Sequence, residues 1–105
     1  MSVVVDLADL ERVLGDFGTG YLLTVSRSPT VKAVSVAPTL VDGELHVPGP
    51  GRGSVTNAGH NAAVTLLVPP RTEGGLTLLV DGTAAVDGDD LRIRPTGAVL
   101  HKAAR

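Results

Sequence analysis

The 105-residue chain contains no cysteine and no tryptophan, and only 2% of its residues are aromatic. Without cysteine it can have no disulfide framework, no thiolate metal site and no thiol nucleophile. No apolar run approaches the roughly 18 residues that a membrane span needs, and the N-terminus lacks the pattern of a signal peptide. We therefore predict a single domain over residues 1–105, located in the cytoplasm and without a membrane partner.

Strong charge of either sign is also missing, since the formal net charge is −2 at pH 7. The sequence shows neither a basic stripe nor an aromatic platform, so we predict no nucleic-acid partner. The histidines, His46, His60 and His101, lie in different predicted elements and have no ligand at i+2 or i+4, so no metal site is predicted. There is no spaced carboxylate pair and no Gly-x-Ser-x-Gly turn. The sequence therefore assigns no catalytic side chain, and any catalysis would depend on a bound cofactor.

Valine, leucine, alanine and glycine dominate what is present, and 43% of the chain is hydrophobic. This composition favours a sheet, because β-branched residues fit a pleated surface. The apolar patterns predict strands over residues 21–26, 31–40, 44–47, 62–68, 76–86 and 91–94, with a further short strand at 98–101. Asp42-Gly43 and Asp87-Gly88 predict tight hairpins, and Gly82 predicts a bulge. With short helices at 6–15, capped by Asp6, and 54–61, the chain is predicted to be mainly β: a small antiparallel barrel, closed or partly closed.

The most informative segment runs from Pro48 to Asn61, between two predicted strands. Proline and glycine prevent regular structure up to Gly51, and Arg52, Gly53 and Ser54 follow. A cation, a small residue and a helix N-cap candidate placed together are typical of a phosphate site, because amide N–H groups at a helix start and an adjacent guanidinium both favour an anion. The same pattern also fits an ordinary serine-capped helix after a glycine-rich turn.

Five segments, in their order along the chain, carry a resemblance to known proteins. They are Tyr21-Leu-Leu-Thr-Val25, Gly51-Arg-Gly-Ser-Val-Thr-Asn57, Asn61-Ala-Ala-Val-Thr-Leu-Leu67, Val80-Asp-Gly-Thr-Ala-Ala-Val86 and Pro95-Thr-Gly-Ala-Val-Leu-His-Lys102. This arrangement resembles the pyridoxamine 5′-phosphate oxidase-like family of flavin-binding split β-barrels, and its ending is similar to that of small actinobacterial members. The resemblance implies a six-stranded antiparallel split barrel that forms a homodimer, with two cofactor sites at the subunit interface.

The resemblance also implies where a cofactor binds. The usual cofactor of the family is FMN, some actinobacterial relatives use the deazaflavin F420, and the phosphate lies near the segment that corresponds to residues 52–57. The residues implied as cofactor contacts are Arg52, Gly53, Ser54, Asn57, Lys32 and Ser35. Ser54 stands where relatives usually carry lysine, which removes one charge-assisted contact to phosphate. Lys32 also fits a solvated strand face, and Ser35 also fits a small packed residue.

Three interpretations of function follow. The first is an FMN-dependent oxidoreductase, in which the flavin transfers hydride to or from an unidentified small substrate. The second is a non-catalytic split-barrel dimer that has lost the cofactor, which the serine at position 54, the short chain and the few aromatic residues favour. The third is a relative that binds F420 through the same phosphate segment. The sequence leaves open whether the protein is an enzyme.

Overall fold

The computed structural model describes residues 1–102, in which eight strands form one antiparallel sheet accompanied by two short α-helices. The strands are β1 (Ser2–Val5), β2 (Gly20–Val25), β3 (Val31–Val36), β4 (Thr39–Val41), β5 (Glu44–Val47), β6 (Ala63–Val68), β7 (Thr77–Asp87) and β8 (Asp90–His101). The helices are α1 (Leu10–Leu14), which follows a 3-10 turn at Leu7–Asp9, and α2 (Arg52–His60). The predicted mainly β fold with short helices is confirmed. The predicted domain also included residues 103–105, which lie outside the described range.

The strand order shows how this sheet forms a split barrel. The strands run in the order β3-β2-β6-β7-β8-β5-β4, and β1 pairs with β8. β8 pairs with β7 along its length, with β5 near its start and with β1 near its end. The chain itself joins the two outermost strands of this order, β3 and β4, through Ala37-Pro38, although no ladder pairs them within residues 1–102. The sheet therefore curls back on itself but stays open along this seam.

The prediction of six strands is wrong, because the described residues form eight. β1 was not expected, and the predicted strand over residues 31–40 is divided into β3 and β4. Pro38 lies at that division, where it has no N–H to donate to a ladder. In contrast, the two strands predicted at 91–94 and 98–101 are parts of β8. Pro95 is tolerated inside β8 because it lies opposite Gly82, where the register shifts.

α2 begins two residues earlier than predicted. Gly51 has a φ of 98°, a conformation that only glycine adopts without strain, and the helix starts directly after it at Arg52. Among the residues that the structure describes, no side chain caps this helix start by a hydrogen bond. The expected N-cap role of Ser54 is therefore wrong, and Ser54 lies inside the helix. The other predicted cap is confirmed, because the Asp6 carboxylate accepts a hydrogen bond of 2.9 Å from the N–H of Ala8.

The core lies on the inner face of the curled sheet, to which every second strand residue points. Its largest fully buried hydrophobic side chains are Leu10, Leu22, Leu45, Leu66, Leu78, Leu91 and Ile93. α2 packs against β2 and β7, and its two buried residues are Ser54 and Ala58. This packing fixes the helix start beside β2 and its neighbour β3. Neither described helix is long and apolar enough to cross a membrane.

Gly82 forms the predicted bulge, since the β7–β8 register shifts between Asp81 and Gly82. A Cβ atom at Gly82 would lie 2.5 Å from Cγ2 of Ile93 and 2.8 Å from the carbonyl oxygen of Arg94. Because the backbone would have to move, we expect Gly82→Ala to lower the free energy of unfolding by about 1 to 3 kcal/mol, as measured by urea denaturation. Gly97→Ala is the matched control, because a Cβ there meets no atom of residues 1–102 within 4 Å. Equal stability of the two variants would contradict this packing.

Candidate cofactor site

The first turn of α2 contacts Lys32 of the neighbouring strand β3. A Cβ atom at Gly53 would lie 2.9 Å from Cε and 3.3 Å from Nζ of Lys32, so the lysine side chain lies directly against the helix backbone. Glycine at position 53 leaves the room for this approach. The ammonium group thus meets the positively polarised N-terminus of the helix. No ion pair within residues 1–102 involves Lys32, so this concentration of positive charge is open to an anion.

Asn57 fixes α2 relative to the strand beside that lysine. Its Nδ2 donates a hydrogen bond of 3.1 Å to Oγ1 of Thr24, whose side chain is fully buried in β2. Thr24 is also the cross-strand partner of Lys32 in the β2–β3 ladder. This hydrogen bond therefore ties α2 to the strand that pairs with β3 at Lys32.

Ser54 presents a buried hydroxyl without a partner. The residue is fully buried, and within residues 1–102 no group forms a hydrogen bond with its Oγ. An unsatisfied buried hydroxyl costs roughly 1 to 3 kcal/mol, so its presence in a native fold needs a reason. Because the hydroxyl is closed off from solvent, a ligand oxygen at the first turn of α2 would supply the missing partner only if that turn moved.

The other two predicted residues lie apart from this group. Arg52 begins α2 but lines a cavity of about 350 Å³ on another flank, together with Gly51 and the carboxylate-bearing Asp89. Ser35 lies three residues beyond Lys32 on β3, so the two side chains point to opposite faces of the sheet. The structure thus brings Lys32, Gly53, Ser54 and Asn57 together, places Arg52 at the margin and separates Ser35.

Sequence reasoning missed the outer face of the sheet, where an apolar row crosses five strands. Successive cross-strand partners in this row, from β2 to β1, are Tyr21, Leu67, Leu79, Val99 and Val4. Tyr21 is 46% exposed and Val4 is 82% exposed. Contiguous apolar surface of this kind marks an interaction site. The signal in the sequence was the unbroken apolar run Tyr21-Leu22-Leu23, which is typical of a strand covered on both faces.

A groove of about 510 Å³ lies beside the apolar row on the same face. Its lining includes aliphatic Leu23, Val25, Val31 and Ala63 and polar Asn61, Thr65, Asp81 and Thr83. The Thr65 hydroxyl donates a hydrogen bond of 2.7 Å to Oδ1 of Asp81, which leaves the second carboxylate oxygen without a side-chain partner within residues 1–102. Val31 precedes Lys32 on β3, so the groove and the Lys32 side chain lie on opposite faces of this strand, which is at the end of the strand order.

Comparison with curated proteins identifies relatives of this chain, although no protein-family model matches it. The uncharacterized proteins Mb0449c of Mycobacterium bovis and MT0457 of Mycobacterium tuberculosis are each 34% identical to it over 114 residues. Each alignment covers 93% of this chain and 80% of the mycobacterial protein.

Solved structures show the same fold at lower identity. A candidate pyridoxamine 5′-phosphate oxidase from Listeria innocua is 14% identical with a TM-score of 0.74, over 90% of this chain and 96% of that chain. An F420 reductase is 18% identical with a TM-score of 0.70, over 84% and 94%. The FAD-binding protein from Mycobacterium smegmatis is 14% identical with a TM-score of 0.70, over 97% and 100%. The chain thus belongs to the same family as the two mycobacterial proteins, and its fold is the split barrel of the pyridoxamine 5′-phosphate oxidase-like proteins, as the sequence resemblance implies.

Proposed function

We propose that this protein binds a flavin-type cofactor and that the cofactor phosphate is held at the first turn of α2. The observation that carries the proposal is the contact of Lys32 with Gly53 at the helix start, beside the unpartnered hydroxyl of Ser54. A cation, backbone N–H groups and a hydroxyl are the donors that a phosphate group accepts from. The F420 reductase and the FAD-binding protein of the same fold support this class of ligand.

The serine at position 54 is compatible with this proposal. Relatives usually carry a lysine at the corresponding place, and here Lys32 supplies a cation to the same helix turn from the neighbouring strand. The charge of Lys32 thus takes the place of the lysine that relatives carry at position 54. The residues present therefore fit a phosphate group.

We assign the ring system of the cofactor to the groove on the outer face, so that the ligand passes around the terminal strand β3 from the phosphate at Lys32. Its aliphatic walls suit a planar aromatic ring, and Asp81 and Thr65 offer polar contacts at its edge. A bound flavin or deazaflavin supplies hydride transfer, which makes an oxidoreductase acting on a small molecule the proposed activity. The resemblance favours FMN first and F420 second, and both carry a phosphate that the same site accommodates.

A second copy of this chain is the proposed partner. In a two-fold symmetric dimer the same patch faces itself, so the apolar row would be covered from both sides. Burial of exposed Tyr21 and Val4 would then stabilise the dimer by removing apolar surface from water. The groove lies beside the row, so a partner seated there would complete each cofactor site.

Lys32→Gln is expected to weaken FMN binding by about 10- to 100-fold, because hydrogen bonds to a charged group contribute roughly 1.5 to 3 kcal/mol. Isothermal titration calorimetry on protein freed of bound ligand measures the change, and flavin absorbance reports occupancy. Arg12→Gln is the matched control, since this exposed arginine lies on α1 and pairs with Asp9 at 3.8 Å. Unchanged affinity in Lys32→Gln would place the phosphate elsewhere. A wild-type protein that binds neither FMN nor F420 would favour the cofactor-free dimer.

A further inference from the structure

A further cavity, of about 510 Å³, opens between α1 and the loop that joins β6 to β7. We call it the α1 cleft, and its size is that of a small-molecule site. The apolar residues that line it are Val13, Phe17, Pro70, Leu76 and Leu100. All five are half-buried, and three of them, Val13, Phe17 and Leu100, also pack against the core. The cleft wall is therefore core surface that stays in contact with water.

The α1 cleft is separate from the groove on the outer face. Ala63, at the start of β6, lines the groove, whereas Pro70 lines the cleft just after β6 ends. A strand rises about 3.3 Å per residue, so β6 holds the two cavities about 17 Å apart. They share no lining residue. Within one subunit the cleft is thus a site of its own.

Arg71 holds a guanidinium in a fixed position at the rim of the cleft. Its Nε donates a hydrogen bond of 3.1 Å to the carbonyl of Asp16, and its Nη2 donates one of 2.8 Å to the carbonyl of Phe17. A Cβ atom at Gly18 would lie 3.8 to 3.9 Å from Cζ, Nη1 and Nη2, so the group also rests against the backbone there. Three of its five N–H groups remain for a ligand, and a carboxylate accepts from two of them at once.

The charge of the cleft favours an anion with a single negative charge. Arg71 forms no ion pair within residues 1–102, and the carbonyls that hold it are neutral. The other charged lining residues are Arg12 and Asp16, so two cations face one carboxylate. Arg12 also lies 3.8 Å from Asp9, but its side chain is 74% exposed and such a pair is weak. The excess of one positive charge matches a carboxylate better than a doubly charged phosphate.

We propose that the α1 cleft binds a small molecule that has a flat apolar body and one carboxylate. The carboxylate accepts hydrogen bonds from Arg71, and the body covers the half-buried wall, where Phe17 offers a ring to stack on. Removal of the wall from water supplies affinity, and the fixed guanidinium supplies specificity. This inference goes beyond the proposed function, because it needs neither the cofactor nor the groove.

Titration with 2-naphthoate, followed by the amide chemical shifts in NMR spectra, tests the proposal. The expected dissociation constant for the wild type is about 1 mM or lower, with shifts in α1 and in the β6–β7 loop. The neutral 2-naphthamide is expected to bind about 10-fold more weakly, because it lacks the charge-assisted contact with Arg71. Arg71→Gln should weaken 2-naphthoate about 10-fold and change the affinity for 2-naphthamide less than about 2-fold.

Thr72→Glu provides a second test that leaves the hydrogen bonds of the Arg71 side chain intact. Thr72 is exposed and lines the cleft. A carboxylate there repels 2-naphthoate, and we expect about 5-fold weaker binding, as for two charges about 4 Å apart in water. The neutral ligand should be unaffected. The melting temperature of each variant checks that folding is intact.

Arg27→Gln is the matched control. Arg27 is exposed in the turn between β2 and β3, at the other end of β2 from Phe17, and its Nη2 donates a hydrogen bond of 3.0 Å to Nδ1 of His60. Arginine has only donors, so this partner is a neutral acceptor, as at Arg71. Loss of this guanidinium should change neither affinity.

Three outcomes would overturn the proposal: equal binding of the two ligands, no binding of 2-naphthoate, or shifts confined to the outer-face groove. Displacement of 2-naphthoate by equimolar inorganic phosphate would show that the cleft prefers phosphate, and it too would overturn the assigned ligand class. None of these titrations contains a flavin, so their failure leaves the cofactor proposal unchanged.

Discussion

The Leu22→Ala variant is expected to lose about 2 to 5 kcal/mol of the free energy of unfolding. Leu22 is 0% exposed in β2 and lies between its cross-strand partners Val34 of β3 and Leu66 of β6. Because ladders hold β2 on both sides, the surroundings of the missing side chain cannot collapse, and a cavity adds to the lost transfer free energy. A loss of this size is a large fraction of the stability of a typical small domain.

Urea denaturation followed by far-ultraviolet circular dichroism measures this effect, since the chain has no tryptophan to report by fluorescence. Leu7→Ala removes the same atoms from a side chain that is 40% exposed, and it is expected to cost less than half as much. Similar losses in the two variants would contradict the inward orientation of Leu22.

Leu79→Glu is expected to convert the proposed dimer into monomers. Leu79 lies in the middle of the apolar row, between Leu67 and Val99. A carboxylate buried there by a second copy would lose its hydration without gaining a partner, at a cost of several kcal/mol. In a two-fold dimer each subunit contributes one altered residue, so the cost is incurred twice. We therefore expect the dimer dissociation constant to rise by about 100-fold or more.

Sedimentation at several protein concentrations measures this change, and circular dichroism confirms that the variant is folded. Val41→Glu is the matched control, because Val41 is 45% exposed on β4 and lies outside the apolar row. A wild-type protein that sediments as a monomer would contradict the proposed partner. Equal effects of the two substitutions would show that the apolar row is not the contact.

Local turn chemistry was the most predictable part of the fold. Asp42 and Gly43 have φ values of 52° and 80°, the left-handed pair that an Asp-Gly hairpin adopts, so the β4–β5 hairpin could be read from two residues. β1 carried no comparable signal. Its short valine run adjoins neither glycine nor proline, and within residues 1–102 its one ladder partner is β8, which lies at the other end of the sequence. Whether such a strand forms depends on its tertiary pairing rather than on the local conformational preferences of its residues.

The candidate site was predictable in its residues but not in its contacts. Lys32 and Gly53 were both named from the sequence, yet their approach depends on how α2 packs beside β2 and β3. Ser54 looked like an N-cap because of its residue type, whereas the backbone of Gly51 decided where the helix begins. The contact of Arg27 with His60 joins residues 33 apart along the chain, and no local pattern indicates such a pair.

The single attachment of β1 also bears on the order in which the chain folds. Its register joins Ser2 to His101, and the N-terminal ammonium of Met1 donates a hydrogen bond of 3.0 Å to the carbonyl of Lys102. This pairing closes a loop of nearly the whole chain, whereas the β4–β5 and β7–β8 hairpins each close a loop of two residues. Loop-closure entropy grows with loop length, which favours formation of the hairpins first and docking of β1 afterwards. Contacts so distant in sequence raise the contact order, and they slow folding relative to a sheet built from hairpins alone.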